Sequence, residues 1–161
     1  MATLIAVTLT SGYLAKAATG TAELSLPTET ANPATTVETT IEYQADAAAV
    51  SALLFDVKYD PTVLAIEPAI GSSAEAAGKV LYSNILPAPD GQALLRILIF
   101  GINQTAIQDG TLVDLAIKVS PDAPPGAHPL QFVDVSLASP DAEAVPFKVH
   151  AGRIVTIGTV H

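Results

Sequence analysis

Three histidines, His128, His150 and His161, are the groups of this 161-residue chain that could supply an imidazole near neutral pH. His128 stands between a turn and an apolar run, beside Pro129, and His161 is the last residue. No Ser-His-Asp constellation can be argued from these positions, and all three read as exposed or edge residues. Among the sixteen Asp and Glu, the pairs Asp56 with Asp60 and Asp134 with Asp141 lack the dense D-x-D-x-D-G loop of a calcium site. Nothing selects two of these carboxylates for glycoside hydrolysis. Cysteine is absent, which removes disulfides and thiolate metal sites. The sequence therefore points to recognition without catalysis, and to no cofactor.

Composition narrows the partner. Seven Lys and Arg against sixteen Asp and Glu give a net charge of −9, and no basic run occurs. Such a surface repels phosphate backbones, so nucleic acid is excluded as a ligand. Half the residues are apolar and only 14% are charged, so the chain can build a core and its surface must be covered largely by small and neutral polar side chains. That balance is common in secreted and cell-surface modules. No apolar run reaches the roughly 18 residues a membrane-spanning helix needs. Residues 1–20 read as an N-terminal extension: 4–9 is apolar and Ala15-Lys16-Ala17 has the small-x-small form of a signal-peptidase site, without a basic stretch before it. The remnant of an export signal and a leftover linker or strand both fit. Residues 21–161 read as one domain.

The elements that would position a recognition surface are strands. Val37, Thr39, Ile41 and Tyr43 alternate with Glu38, Thr40 and Glu42; Leu53, Phe55, Val57 and Tyr59 alternate with Leu54, Asp56 and Lys58. Leu95, Ile97 and Ile99 alternate with Arg96, Leu98 and Phe100, and Val113 to Val119 repeats the pattern. A period of two sends one set to a buried face and the other outward. Shorter candidates are 22–26, 63–66, 80–85, 130–137 and 153–157. Asn32-Pro33, Asp60-Pro61, Asp90-Gly91, Asp109-Gly110, Pro125-Gly126 and Ala151-Gly152 punctuate them, since proline and glycine interrupt ladders at low strain. About nine short strands with such breaks predict an all-β, two-sheet sandwich. Only 72–77 suits a helical turn.

On two strands expected to be neighbours, the outward sets are Leu54, Asp56 and Lys58, and Arg96, Leu98 and Phe100. Leu54, Leu98 and Phe100 are out of place on a face meant for water. With charge around them they have the anatomy of a recognition patch, bordered by Tyr82, Asn84 and the 87–91 loop. A register slip of one residue, or a covering loop, would remove it. A sugar-stacking platform is the rival, but it needs flat exposed rings. The chain has no Trp, and Phe55 and Tyr59 fall in phase with the core, which leaves Tyr82.

Five segments add a resemblance. Tyr59-Asp60-Pro61-Thr62-Val63-Leu64 resembles the Y-D-P-x-V-L signature of cohesins, the modules that bind dockerins in cellulosomes and on some other microbial surfaces. Leu95 to Phe100 is similar to that family's sixth strand, and Asp109-Gly110-Thr111-Leu112 with Ile117-Lys118-Val119 to its seventh. Ala123-Pro124-Pro125-Gly126 with His128-Pro129-Leu130 resembles the turn into the eighth, and Gly152-Arg153-Ile154 the closing strand. The resemblance implies a nine-stranded jelly roll whose third, fifth, sixth and eighth strands form the binding sheet. It also implies a dockerin-bearing partner that carries the calcium itself, and an extracellular or cell-surface setting. Leu98 matches a hydrophobic position that many cohesins use, whereas Leu54 and Gly101 stand where acidic residues are common. These departures suggest a divergent or non-cellulosomal member with a more apolar surface. A carbohydrate-binding module and a self-associating surface-layer or adhesin module, with a homodimer as partner, remain as alternatives.

Overall fold

The alternation in the sequence becomes two facing sheets in a computed structural model that describes residues 20–158. The strands are β1 (Thr21–Ser25), β2 (Thr28–Ala31), β3 (Thr36–Asp46), β4 (Ala52–Tyr59), β5 (Leu64–Ile70), β6 (Val80–Pro87), β7 (Ala93–Phe100), β8 (Gly110–Val119), β9 (Gly126–Ala138), β10 (Phe147–His150) and β11 (Gly152–Thr156). The helical turn expected at 72–77 is helix α1 (Ser72–Ala76). One sheet has the order β10-β1-β3-β8-β5, the other β2-β11-β9-β4-β7-β6. Neighbours are antiparallel except β1 with β10 and β2 with β11, which run parallel. The proposed export remnant at 1–17 and His161 lie outside the described residues.

The sandwich holds because the inward sets of both sheets meet. Leu53, Phe55 and Val57 of β4 and Leu95, Ile97 and Ile99 of β7 are buried, as are Ile41 and Tyr43 of β3 and Val113, Leu115 and Ile117 of β8. Each such side chain contributes about 1.5–3 kcal/mol of transfer free energy. At the end of β4, Asp60 closes the strand. Its Oδ1 accepts from the N–H and the hydroxyl of Thr62 at 2.9 and 2.7 Å, and its carbonyl accepts from the N–H of Leu64 at 3.0 Å.

Among the described residues there are eleven strands instead of nine. β2 and β10 were not legible because each has only four residues; β2, Thr-Glu-Thr-Ala, offers one apolar side chain, and all four residues of β10 are exposed. They matter because they let both ends of the fold cross between sheets. The chain leaves β1 at Leu26-Pro27 to join the second sheet as β2, and leaves β10 at Ala151 to join it as β11. At this double crossing Gly152 is required by space: a Cβ there would come within 2.8 Å of the carbonyl carbons of Leu26 and Pro27.

The expectation for His128 needs correction. It is buried, in phase with Leu130, and its Nε2 lies 3.0 Å from both the Pro124 carbonyl and the Thr156 hydroxyl. This tie fastens the turn before β9 to β11, a structural role. His150 is exposed as expected, on β10.

Candidate protein-binding face

Register decides whether the expected patch exists. Between β4 and β7, Leu54 pairs with Leu98, Asp56 with Arg96 and Lys58 with Leu94. Between β6 and β7, Val80 pairs with Phe100, Tyr82 with Leu98 and Asn84 with Arg96. Directly opposed residues share a face. All eight expected residues therefore lie on the outer face of one sheet, and the register is as the sequence implied. The four strands expected to share this sheet are adjacent in the order β9-β4-β7-β6. β9 flanks it, placing Gln131 beside Lys58, Val133 beside Asp56 and Ser136 beside Leu54. A bulge opposite Phe55, with Asp134 at a φ of 51°, separates the last two pairs.

At the centre Leu54, Leu98 and Tyr82 form a row across three strands. Tyr82 is 61% exposed and its ring stacks on Phe100, with centroids 5.5 Å apart and planes 19° apart. The stack keeps one side of each ring dry, so Phe100 is only partly accessible while Tyr82 presents its outer side.

The charged residues are already engaged. Arg96 donates from Nε to Asp56 Oδ1 at 2.8 Å and from Nη2 to Asp56 Oδ2 at 2.9 Å. Asp56 is 1% exposed, so it sits below the face and holds the guanidinium with both carboxylate oxygens. The carboxylate in turn raises the Arg96 pKa above its ordinary value. Lys58 reaches Asp90 at 2.6 Å and draws the 87–91 loop onto the rim. That hydrogen bond, helped by the N–H of Gln92, lowers the Asp90 carboxyl below the usual carboxylate range.

Behind one corner of the face, Lys79 is 4% exposed. Its ammonium donates to Ser51 Oγ at 3.1 Å, Asn103 O at 3.2 Å and Asn103 Oδ1 at 2.6 Å. Burial lowers its pKa. Asn103 also donates to the Ala77 carbonyl at 3.1 Å, so the segment after β7 is fastened to the helix and to the approach to β4. Ile102, beside this anchor, projects fully into solvent.

Sequence reasoning did not single out Val80 and Leu94. Both are in phase with residues it named, Tyr82 and Arg96; Leu94 was lost because the expected strand began at Leu95, whereas Val80 lay inside the expected strand 80–85 and was simply not added to the face. No group of three potential metal ligands occurs among the described residues, and Asp56 is taken up by Arg96 instead.

The sandwich thus offers an in-register apolar row rimmed by fastened charges, the anatomy of a recognition surface. The chain belongs to the cohesin family, whose model, described as Cohesin domain, matches residues 22–155. Cohesin domains are non-catalytic binding modules. Solved cohesins share the fold. A non-cellulosomal cohesin from the hyperthermophilic archaeon Archaeoglobus fulgidus is 15% identical, with a TM-score of 0.70 over 86% of this chain and 92% of its own. The OlpA cohesin of Clostridium thermocellum, solved with a dockerin, is 19% identical with a TM-score of 0.70, covering 85% and 99% of the two chains. The sixth cohesin of Acetivibrio cellulolyticus scaffoldin B, also in complex with a dockerin, is 21% identical with a TM-score of 0.70 over 85% and 99%. No curated protein matches the chain at a significant level.

Proposed function

We propose that this cohesin domain, spanning 21–161, is the receptor half of an extracellular or cell-surface assembly and binds a dockerin-type partner through the β9-β4-β7-β6 face. The observation that carries the reading is the Leu54–Leu98–Tyr82 row on the outer side of that sheet. Apolar side chains in the centre of a patch, with Arg96 and Lys58 at its margin, suit a protein partner that covers them and excludes water. Any calcium would belong to the dockerin-type partner, as the family resemblance implies. Two cohesins of the same fold were solved in complex with dockerins, which supports the same class of partner. A leucine where an acidic residue is common favours a partner less dependent on charge.

Calorimetry of wild type and Leu98→Asp against a panel of dockerins with calcium tests this. Saturable binding by wild type that the charge abolishes, with circular dichroism unchanged, supports both partner class and face. Equal binding by both proteins would remove the face and keep the class. Absence of binding across the panel, together with retention on insoluble polysaccharide, would replace the reading with a carbohydrate-binding one.

A further inference from the structure

Sandwich sheets end in open edges, and an open edge offers unpaired N–H and C=O groups to any passing strand. Among the described residues four strands stand at edges: β10 and β5 in one sheet, β2 and β6 in the other. Three carry the usual protection. β2 has only four residues and includes Glu29; β10 has four and includes Lys148; β5 carries Glu67 and Pro68 in its interior. β6 differs. Over eight residues, Val-Leu-Tyr-Ser-Asn-Ile-Leu-Pro, it holds no charge, and its one proline is the final residue.

Its core-facing side is also incomplete. Leu81, Ser83 and Ile85 pair with Ile99, Ile97 and Leu95, which are buried, yet Ser83 is exposed and Ile85 is 55% exposed. The strand overhangs the opposite sheet and leaves an apolar side chain in water.

We propose that the β6 edge is a dimerisation edge, where two copies of this chain pair β6 against β6 antiparallel about a two-fold axis through Ser83. Directly opposed residues must share a face, so a two-fold axis normal to the sheet passes beside a residue. At Ser83, each Ile85 is set opposite Leu81 of the second copy and each Tyr82 opposite its Asn84. Both exposed isoleucines are then covered. Charge does not oppose a second copy at this place. With a net charge of −9 two copies repel, and β6 is where they can approach without opposing like charges. The flanking Lys79 is buried, and Asp90 is neutralised by Lys58. The dimer would join two six-stranded sheets with both β9-β4-β7-β6 faces on the same side, so it does not compete with the proposed binding face.

The test uses the whole chain, which has no cysteine of its own. Ser83→Cys, oxidised without denaturant, is expected to give a disulfide-linked dimer, because opposed residues of an antiparallel pair lie close enough to bridge. Thr62→Cys, exposed at a distant turn, is expected to stay monomeric. In sedimentation equilibrium without dockerin, Ile85→Lys should raise the dimer dissociation constant by about tenfold or more, since each dimer contains that contact twice. Leu98→Asp should leave it unchanged. The proposal is overturned by wild type that stays monomeric up to about 1 mM, a weak affinity even for a transient pair. It is also overturned by a Ser83→Cys protein that does not cross-link, or by a dimer that Leu98→Asp disrupts and Ile85→Lys does not. Ile85 is already half in water, so a folded variant is expected, and circular dichroism checks it.

Discussion

Asp56 and Arg96 face each other across β4 and β7 and are joined by two parallel hydrogen bonds, at 2.8 and 2.9 Å, with the carboxylate buried beneath the guanidinium. The pair is thus part of the sheet before it is part of any interface. Arg96→Ala should leave a buried carboxylate without its partner and lower the urea midpoint of unfolding. The double variant Asp56→Ala/Arg96→Ala should lose less than the sum of the single variants, as measured by a double-mutant cycle. Additive losses would show that the pair is energetically independent.

The Tyr82–Phe100 stack allows the proposed binding role to be read apart from stability. Tyr82 is mostly exposed, so Tyr82→Ala should cost at most about 1.5 kcal/mol of stability, the scale of an aromatic pair. On the proposed reading, the same change should weaken affinity for a dockerin-type partner by about tenfold or more, as for an aromatic anchor of an interface. Calorimetry and urea unfolding on one preparation read both effects.

Tyr43 carries a prediction for alkaline pH. Its hydroxyl is buried with no hydrogen-bond partner among the described residues. Burial, aided by the nearby Asp109 carboxylate, pushes its pKa up to about 12. The fold thus prefers the neutral phenol. Its contribution is complete below the ordinary tyrosine pKa, about 10, and is lost as pH rises from there toward about 12. Tyr43→Phe should make that loss shallower; Tyr59, raised by burial as well, keeps part of it. At neutral pH the substitution should be neutral or stabilise by up to about 1 kcal/mol, because it removes an unsatisfied group. Chemical denaturation across this pH range decides it.

Replacing Lys79 by methionine should preserve volume and remove a charge-assisted donor to two residues, Ser51 and Asn103. A destabilisation of about 2–4 kcal/mol is expected, as for other broken buried polar networks. Hydrogen exchange should quicken selectively between β7 and β8, where Asn103 sits.

At the double crossing, Gly152→Ala would drive a Cβ into the backbone of Leu26 and Pro27, which cannot rotate away. A cost of at least about 2 kcal/mol in thermal or urea unfolding is expected.

Much of this architecture was legible because Leu53 to Tyr59 of β4, Leu95 to Phe100 of β7 and Val113 to Val119 of β8 show a period of two in sequence, with the buried Asp56 as the exception in β4. Alternation fixes which side is buried, and that is how Leu54, Leu98 and Phe100 could be placed together before any coordinates. Pairing of distant segments leaves no local trace, so β2 and β10 escaped notice. The same holds for engagement: nothing in the sequence says that Asp56 lies under Arg96, or that Lys58 is occupied by Asp90. His128 was misjudged from its turn-like neighbours, while its phase with Leu130 carried the correct answer.

The two parallel pairings near the chain termini govern how the module would respond to pulling. Ala22 to Ser25 lie alongside Phe147 to His150, and Thr28 to Ala31 alongside Arg153 to Thr156, each pair running in the same direction. A tether drawing Thr21 one way and Thr156 the other loads these ladders along their length, so their hydrogen bonds share the strain and must yield together. Antiparallel terminal strands would open one rung at a time, like a zip. A receptor that keeps its partner under flow or traction gains from the first arrangement.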